Sequence, residues 1–315
     1  MASGPAPEPE AGRGPAMGED PARKEHFYGG QALIEGVMMR GRDYWAVAVR
    51  RPDEEIHIES HDVGSLAKKY PLLAKPGLRG VVALGQALSI GFRALGISAH
   101  QAAPEEERLT KGQMTLSMVL AVIVFIGLFI VLPAVGFGFA ERSFLPSGLI
   151  ANVLEGIVRV LIFLGYLFLI GRMKEVRRVF QYHGAEHKTI AAFEHGAPLA
   201  PPEVDRFSTL HVRCGTNFLL IIMVLTILVF ALFGSPGLIW RVMSRVIAIP
   251  IIAAVAYEAL RLGARYPGSL VMRVLMAPGL WLQKITTKPP APDQIEVAIA
   301  SFNEVLRRER AAATG

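Results

Sequence analysis

The stretch Thr115–Phe137, TLSMVLAVIVFIGLFIVLPAVGF, contains no charged side chain. An α-helix needs about 20 mainly apolar residues to cross the hydrocarbon layer of a bilayer, so this run reads as a membrane span. Three further runs reach that length, about Leu149–Gly171, Thr216–Phe233 and Val242–Leu262. The second carries Glu155 and Arg159, an i,i+4 pair placed to neutralise itself inside a bundle. The fourth carries Arg245, Pro250 and Glu258, the last near an end where Arg261 or solvent is expected to serve it.

Basic residues set the expected topology. Arg108 and Lys111 precede the first span. Arg172, Lys174, Arg177 and Arg178 follow the second, and Arg261, Arg265 and Arg273 follow the fourth. The loops at Glu141-Arg142 and Gly234–Arg241 are short and nearly balanced. Positive charge collects on the cytoplasmic side, which puts both termini and the loop 172–215 there, in an integral protein of the cell membrane. The fold class that follows is mainly α. It is a polytopic helical membrane bundle of about four spans, with a small N-terminal antiparallel β element and a cytoplasmic helical loop domain.

Composition agrees. Of 315 residues, 52% are hydrophobic and 19% charged, and the mean hydropathy is +0.38. These values fit a chain whose main partner is the lipid bilayer. The net charge of +6 comes from residues flanking apolar spans, with no basic–aromatic stripe, so nucleic acid is not an expected partner. Cys214 is the single cysteine, so no internal disulfide forms. The first residues show no apolar signal core and residue 2 is Ala, so the first span is expected to be an uncleaved anchor. No internal repeat of the transporter kind appears, nor a phosphate-cradling glycine loop or a GxSxG elbow.

The chain divides into a disordered tail (1–26), a small β element (27–65), amphipathic or interfacial helices (66–112) and spans one and two (113–172). Then come a cytoplasmic loop (173–215), spans three and four (216–263), and an interfacial segment with a C-terminal helix (264–315). Strands are expected over Gln31–Arg40, Tyr44–Arg50 and Glu55–His61, between turns at Gly41-Arg42-Asp43 and Arg51–Glu54. A helix from about Leu78 to Ser98, interrupted by Arg93, reads as lying at the membrane surface or against other helices. Near the C-terminus, Asp293 and Glu296 resemble a capping box, and Ile295, Ile299, Phe302 and Leu306 form one apolar stripe that predicts docking.

Chemistry concentrates at His183-Gly184-Ala185-Glu186-His187. On a helix, His183 and His187 stand one turn apart on one face, with the Glu186 carboxylate on the adjoining flank. This is the inverted zinc-protease spacing His-x-x-Glu-His. Glu194 lies too far along the helix to share an ion with both histidines, so further donors must come from His211 and Cys214, just before the third span. All four are good ligands for a divalent metal, zinc first. With three donors the site is catalytic and Glu186 is the base. With four it is a closed structural site. With none, the histidines are interfacial polar residues. His57 and His61 share a strand face that exposure explains. Gln31, Glu35 and Arg40 fall in a segment of small and apolar residues, where Glu35 is either buried with a partner such as Arg40 or aimed at a site.

Four motifs occur in order: GGQALIEGVMMRG at 29–41, YHGAEHKT at 182–189, HVRCGT at 211–216 and PGLWLQ at 278–283. Together they resemble the YqhQ-like family of bacterial membrane proteins of unknown function, from about Phe27 to Leu306. Val212 stands where that family commonly has proline. Members are described as predicted metal-dependent enzymes, so the resemblance implies a metal-dependent membrane enzyme. A hydrolase of peptide or lipid-derived substrates is the first expectation. The alternative is a non-enzymatic membrane scaffold that binds a protein partner, with a structural metal or none.

Overall fold

A computed structural model describes residues 28–64, 75, 77–143, 148–211, 214–231, 238–265 and 270–314. The tail, much of 66–76, part of the 234–241 loop and Val212 therefore lie outside the described residues. So do the side chains of Arg142, Arg245, Arg261, Arg265 and Arg273.

Strands β1 (Gly29–Leu33), β2 (Gly36–Arg40), β3 (Tyr44–Arg50) and β4 (Ile56–Asp62) form an antiparallel meander in that order. β2 and β3 are buried on both faces. Val37, Met39, Ala46 and Ala48 face one core, while Met38, Trp45, Val47 and Val49 face another. Two covered faces explain why these strands read as continuous apolar runs rather than alternating ones.

One expected strand, 31–40, is two. The chain turns at Ile34-Glu35, and Glu35 adopts φ 51, a left-handed conformation costing roughly 1–2 kcal/mol for a residue with a Cβ. Its carboxylate is held by Arg178 Nε and by the Tyr182 hydroxyl at 3.2 Å. The partners that hold this turn lie far away in sequence, and neither turn position, Ile34 or Glu35, is glycine or asparagine. Arg40, the expected partner of Glu35, instead donates to Gln86 Oε1 at 2.7 Å.

The helices are α1 (Leu78–Ala102), α2 (Lys111–Ile126), α3 (Leu132–Ser143), α4 (Leu149–Ile170), α5 (Lys174–Glu194), α6 (Pro201–Val204), α7 (Gly215–Ala231), α8 (Leu238–Arg265), α9 (Leu270–Thr286) and α10 (Pro292–Thr314). A π-turn, Gly127–Val131, joins α2 to α3. Four stretches are long and apolar enough to cross a membrane: Leu78–Ala102, Lys111–Phe139, Leu149–Ile170 and Val242–Leu260. Leu116, Val119, Leu120, Ile123 and Val124 are exposed along α2. A contiguous apolar surface of this kind suits lipid rather than water.

Two differences from the expected spans stand out. α1 is long and apolar enough to cross a membrane, while it also packs against other elements as expected. Its first turns lie against α8, where a Cβ on Gly80 would sit 2.8 Å from Ala254 Cα. There Arg79 grips Glu258, while the expected partner Arg261 has its side chain outside the described residues. Further along, Ile90 and Ala94 of α1 cover the sheet. The run expected at 216–233 is a shorter helix, α7, among the described residues.

The pair inside α4 forms as expected, with Arg159 2.6 Å from Glu155. Arg159 Nε also donates to Phe129 O at 2.8 Å. Pro133 has no N–H to offer that carbonyl, so the guanidinium supplies the missing donor beside the π-turn.

α5 and α10 cover the other sheet face. Ile295, Ile299, Phe302 and Leu306 all enter the core there with Tyr182, Ala185 and Ile190, each large side chain contributing about 1.5–3 kcal/mol. Ser301 Oγ accepts from Met39 N and donates to Ala46 O, tying α10 to the β2–β3 ladder. The helix start is capped differently from expectation: Gln294 Oε1 accepts from Ala291 N at 2.9 Å, while Glu296 reaches Arg50 at 3.2 Å.

Candidate metal centre

α5 leaves the bundle end and runs beneath β1, which places His183, Glu186 and His187 under the edge of the sheet. Its sequence allows that approach. A Cβ at Gly184 would lie 2.1 Å from Lys288 O, and one at Gly30 would lie 2.8 Å from Glu186 Cδ. Only glycine lets the chain after α9 and the first strand come this close.

Both imidazoles are held through Nδ1 by backbone carbonyls. His183 Nδ1 donates to Thr286 O at 2.9 Å, and His187 Nδ1 donates to Thr209 O at 2.5 Å. Because a carbonyl only accepts, Nδ1 carries the proton and each Nε2 presents a lone pair. Thr286 ends α9, so its carbonyl lacks a helical donor and is free for His183. Thr209 is brought in by the loop after α6, which Lys188 anchors at Asp205 Oδ1, 3.0 Å away.

The two Nε2 atoms converge with Cys214. His183 Nε2 lies 3.3 Å from Cys214 Sγ, and one donor atom from each of His183, His187 and Cys214 falls within 4.8 Å of the others. Tetrahedral zinc with nitrogen and sulfur ligands separates them by about 3.3–3.6 Å, so small side-chain adjustments suffice. Cys214 immediately precedes α7, and its sulfur accepts from the Thr216 backbone N–H at 3.4 Å and hydroxyl at 3.3 Å, acting as the helix cap. His187 is 1% exposed, and its Nε2 is buried with no well-formed hydrogen bond. A buried lone pair of this kind is what a metal ligand leaves behind.

His211 stands beside this triad rather than in it. Its ring centroid is 5.7 Å from that of His187, and its Nε2 lies 3.4 Å from Glu194 Oε2. Gln283, fully buried, holds the His211 backbone by two hydrogen bonds of 2.8 Å, one to N–H and one to C=O. Glu194 and Gln283 were not expected here. The signal for Gln283 was its place at the end of the PGLWLQ motif.

Glu186 is buried beside the triad. Burial pushes its carboxyl up, opposed by the His183 and His211 imidazoles and by a hydrogen bond from the Gly30 backbone. Burial likewise pushes His187 down, which keeps its imidazole neutral. A cavity of about 420 Å³ opens over these groups, lined by Gly30, Gln31, His183, Glu186, His187 and Cys214 among others. Gln31 fits against Gly91, where a Cβ would lie 2.6 Å from its Oε1. Glu35 lies apart, bordering a separate cleft with Arg50, Arg51 and Arg178.

The profile of a family described as "Protein of unknown function (DUF1385)" matches residues 75–308. This chain belongs to the DUF1385 family. It is 34% identical over 300 residues to "Uncharacterized protein YqhQ" of Bacillus subtilis (strain 168), covering 90% of this chain and 93% of the relative. No solved structure matches. Membership of DUF1385 therefore fixes kinship and carries no stated activity.

Proposed function

We propose that the protein is a metal-dependent membrane hydrolase working at the cytoplasmic face. His183, His187 and Cys214 hold a zinc ion, and Glu186 is the base. The carrying observation is the convergence of two Nδ1-pinned imidazoles on one sulfur, with His187 Nε2 otherwise buried and unsatisfied. Three donors, among the described residues, match the ligand count of a site that keeps a position for substrate. His211 hydrogen-bonds elsewhere, which disfavours the closed four-ligand alternative.

When bound, the ion supplies Lewis acidity, bringing water ionisation and carbonyl polarisation into the neutral pH range. The chain's own groups do the rest. The carbonyls of Thr209 and Thr286 fix ring orientation, and Gly30 N–H orients the Glu186 carboxylate. Glu186, raised by burial, takes a proton from water and returns it to the leaving group.

Contacts support the same topology. β1 packs on α5, and α10 packs on both β2 and α5. These parts lie on one side of the bilayer only if an even number of crossings separates them. The α2–α3 rod with α4 supplies two, and α7 with α8 supplies two more. On that count α1 borders the bundle without crossing, and the basic residues after α4 favour the cytoplasm as the shared side.

Metal analysis of detergent-purified protein tests this. One zinc per chain, lost in His183→Ala and kept in Glu186→Gln while a cellular phenotype disappears, is the expected result. Protein isolated without metal and unable to take up zinc overturns it. A phenotype that survives Glu186→Gln favours the scaffold.

A further inference from the structure

β1 is the outermost strand of the sheet, and its register pairs Leu33 with Gly36 and Gly29 with Arg40. In an antiparallel ladder alternate residues exchange hydrogen bonds with the neighbour. The two-residue turn at 34–35 closes on Leu33 and Gly36, so Gly29, Gln31 and Leu33 bond to β2. Gly30 and Ala32 turn their N–H and C=O groups outward. Among the described residues no strand pairs with that edge.

The free edge borders the candidate metal centre. Residues 28–32 line the same cavity as His183, Glu186, His187 and Cys214. The outward N–H of Gly30 is taken by Glu186, which leaves Gly30 C=O, Ala32 N–H and Ala32 C=O along the rim. A Cβ at Gly29 would meet nothing within 4 Å, so the sheet face at that residue is open.

We infer that the substrate is an extended peptide segment, seated as an added strand on β1 with one of its carbonyls delivered to Glu186 and the three donors. The inference rests on the metal-dependent reading of the site. A strand edge offers alternating donors and acceptors, and another extended backbone answers both. A lipid ester has no N–H to give and leaves both carbonyls of the row unanswered. In the reaction the oxygen of water joins the carbonyl carbon and the C–N bond breaks. The nitrogen leaves as an amine carrying a proton from that water.

The test uses full-length, zinc-loaded protein in lipid nanodiscs and two zinc-binding probes, acetohydroxamate and an alanine-rich tripeptide hydroxamate, measured by calorimetry. The tripeptide is expected to bind at least about tenfold more tightly, the yield of one or two strand hydrogen bonds. N-methylation of its amides removes the gain. Ala32→Pro, which deletes an outward N–H and leaves the β2 ladder intact, also removes it without changing acetohydroxamate binding. Equal affinity of the two probes overturns the peptide assignment while the metal reading stands, as does hydrolysis of a phospholipid ester in preference to peptides. Failure of both probes to bind zinc-loaded protein overturns the metal reading and the assignment with it. The N-methylated peptide decides the matter even where Ala32→Pro does not fold.

Discussion

Two histidine pairs in this chain have the same spacing and opposite chemistry. His183 and His187 sit on α5 with Nδ1 against carbonyl oxygens. His57 and His61 sit on β4 with Nδ1 against arginine donors, Arg51 at 2.9 Å and Arg93 at 3.0 Å. A carbonyl forces the proton onto Nδ1 and leaves Nε2 free to bind a metal. A guanidinium forces the proton onto Nε2 and spends the other lone pair. On β4 those Nε2 atoms face the Glu59 carboxylate, 2.7 Å from His61 and 3.6 Å from His57. Burial and Arg93 both push the His61 imidazole down, holding it neutral. The strand pair is therefore a hydrogen-bonded arginine–histidine–carboxylate network over Trp45, and the helix pair is the proposed ligand set. Partner identity at Nδ1, rather than spacing, separates them.

The contrast breaks most visibly by removing donors. Cys214→Ser or His187→Ala is expected to weaken zinc binding more than about 100-fold, beyond what loss of an outer-shell partner costs. His57→Ala with His61→Ala should leave zinc content unchanged. Loss of metal from the β4 variant would show that the wrong pair had been assigned.

Next in size is Gly184→Ala, which drives a methyl into Lys288 O. A destabilisation of roughly 1–3 kcal/mol is expected from overpacking, read by thermal unfolding. Zinc affinity should fall with it, because the displaced segment follows directly on Thr286, whose carbonyl holds His183. Unchanged stability would mean the chain after α9 does not pack against Gly184.

Removal of zinc by chelation should lower Tm by the linkage expected for a ligand that binds only the folded state. Cys214→Ser should show no such response. Chelator sensitivity that persists in the variant would place the ion elsewhere.

Glu186→Gln gives a subtler, pH-dependent effect. The folded state raises this carboxyl above its unfolded value. Below the unfolded pKa both states are protonated and no penalty exists. As pH rises through and beyond the raised pKa the penalty becomes complete, so the carboxylate costs stability at neutral pH. Metal-free Glu186→Gln should melt higher than wild type at neutral pH and equally at acid pH. A gain that is the same at both would remove burial of charge as its cause.

The smallest signal sharpens the comparison directly. Long-range nitrogen–proton spectra of histidine-labelled protein should show Nδ1–H tautomers at 183 and 187 and Nε2–H tautomers at 57 and 61. The same tautomer in both pairs would erase the distinction.

Much was legible before any coordinates. The aliphatic runs at 115–137 and 149–171, the Glu155–Arg159 pair and the docking stripe of the last helix all follow from local pattern, because burial of such faces has few solutions. The shared face of His183 and His187 was legible for the same reason: helix geometry fixes where i and i+4 stand. Illegible were the turn at Glu35, the grip of Arg79 on Glu258 and the place of His211. Each depends on a partner from a distant element, and no local propensity encodes it.

By itself, then, the amino-acid order determined a bilayer-suited helical chain with a small sheet and a metal-ligating vocabulary, since hydropathy and periodicity act within one element. Tertiary structure alone decided which histidines present lone pairs, because that depends on whether a carbonyl or a guanidinium arrives from elsewhere in the chain. It also set β1 as the open edge above Glu186, since strand order and helix docking are properties of the assembled layers rather than of any segment.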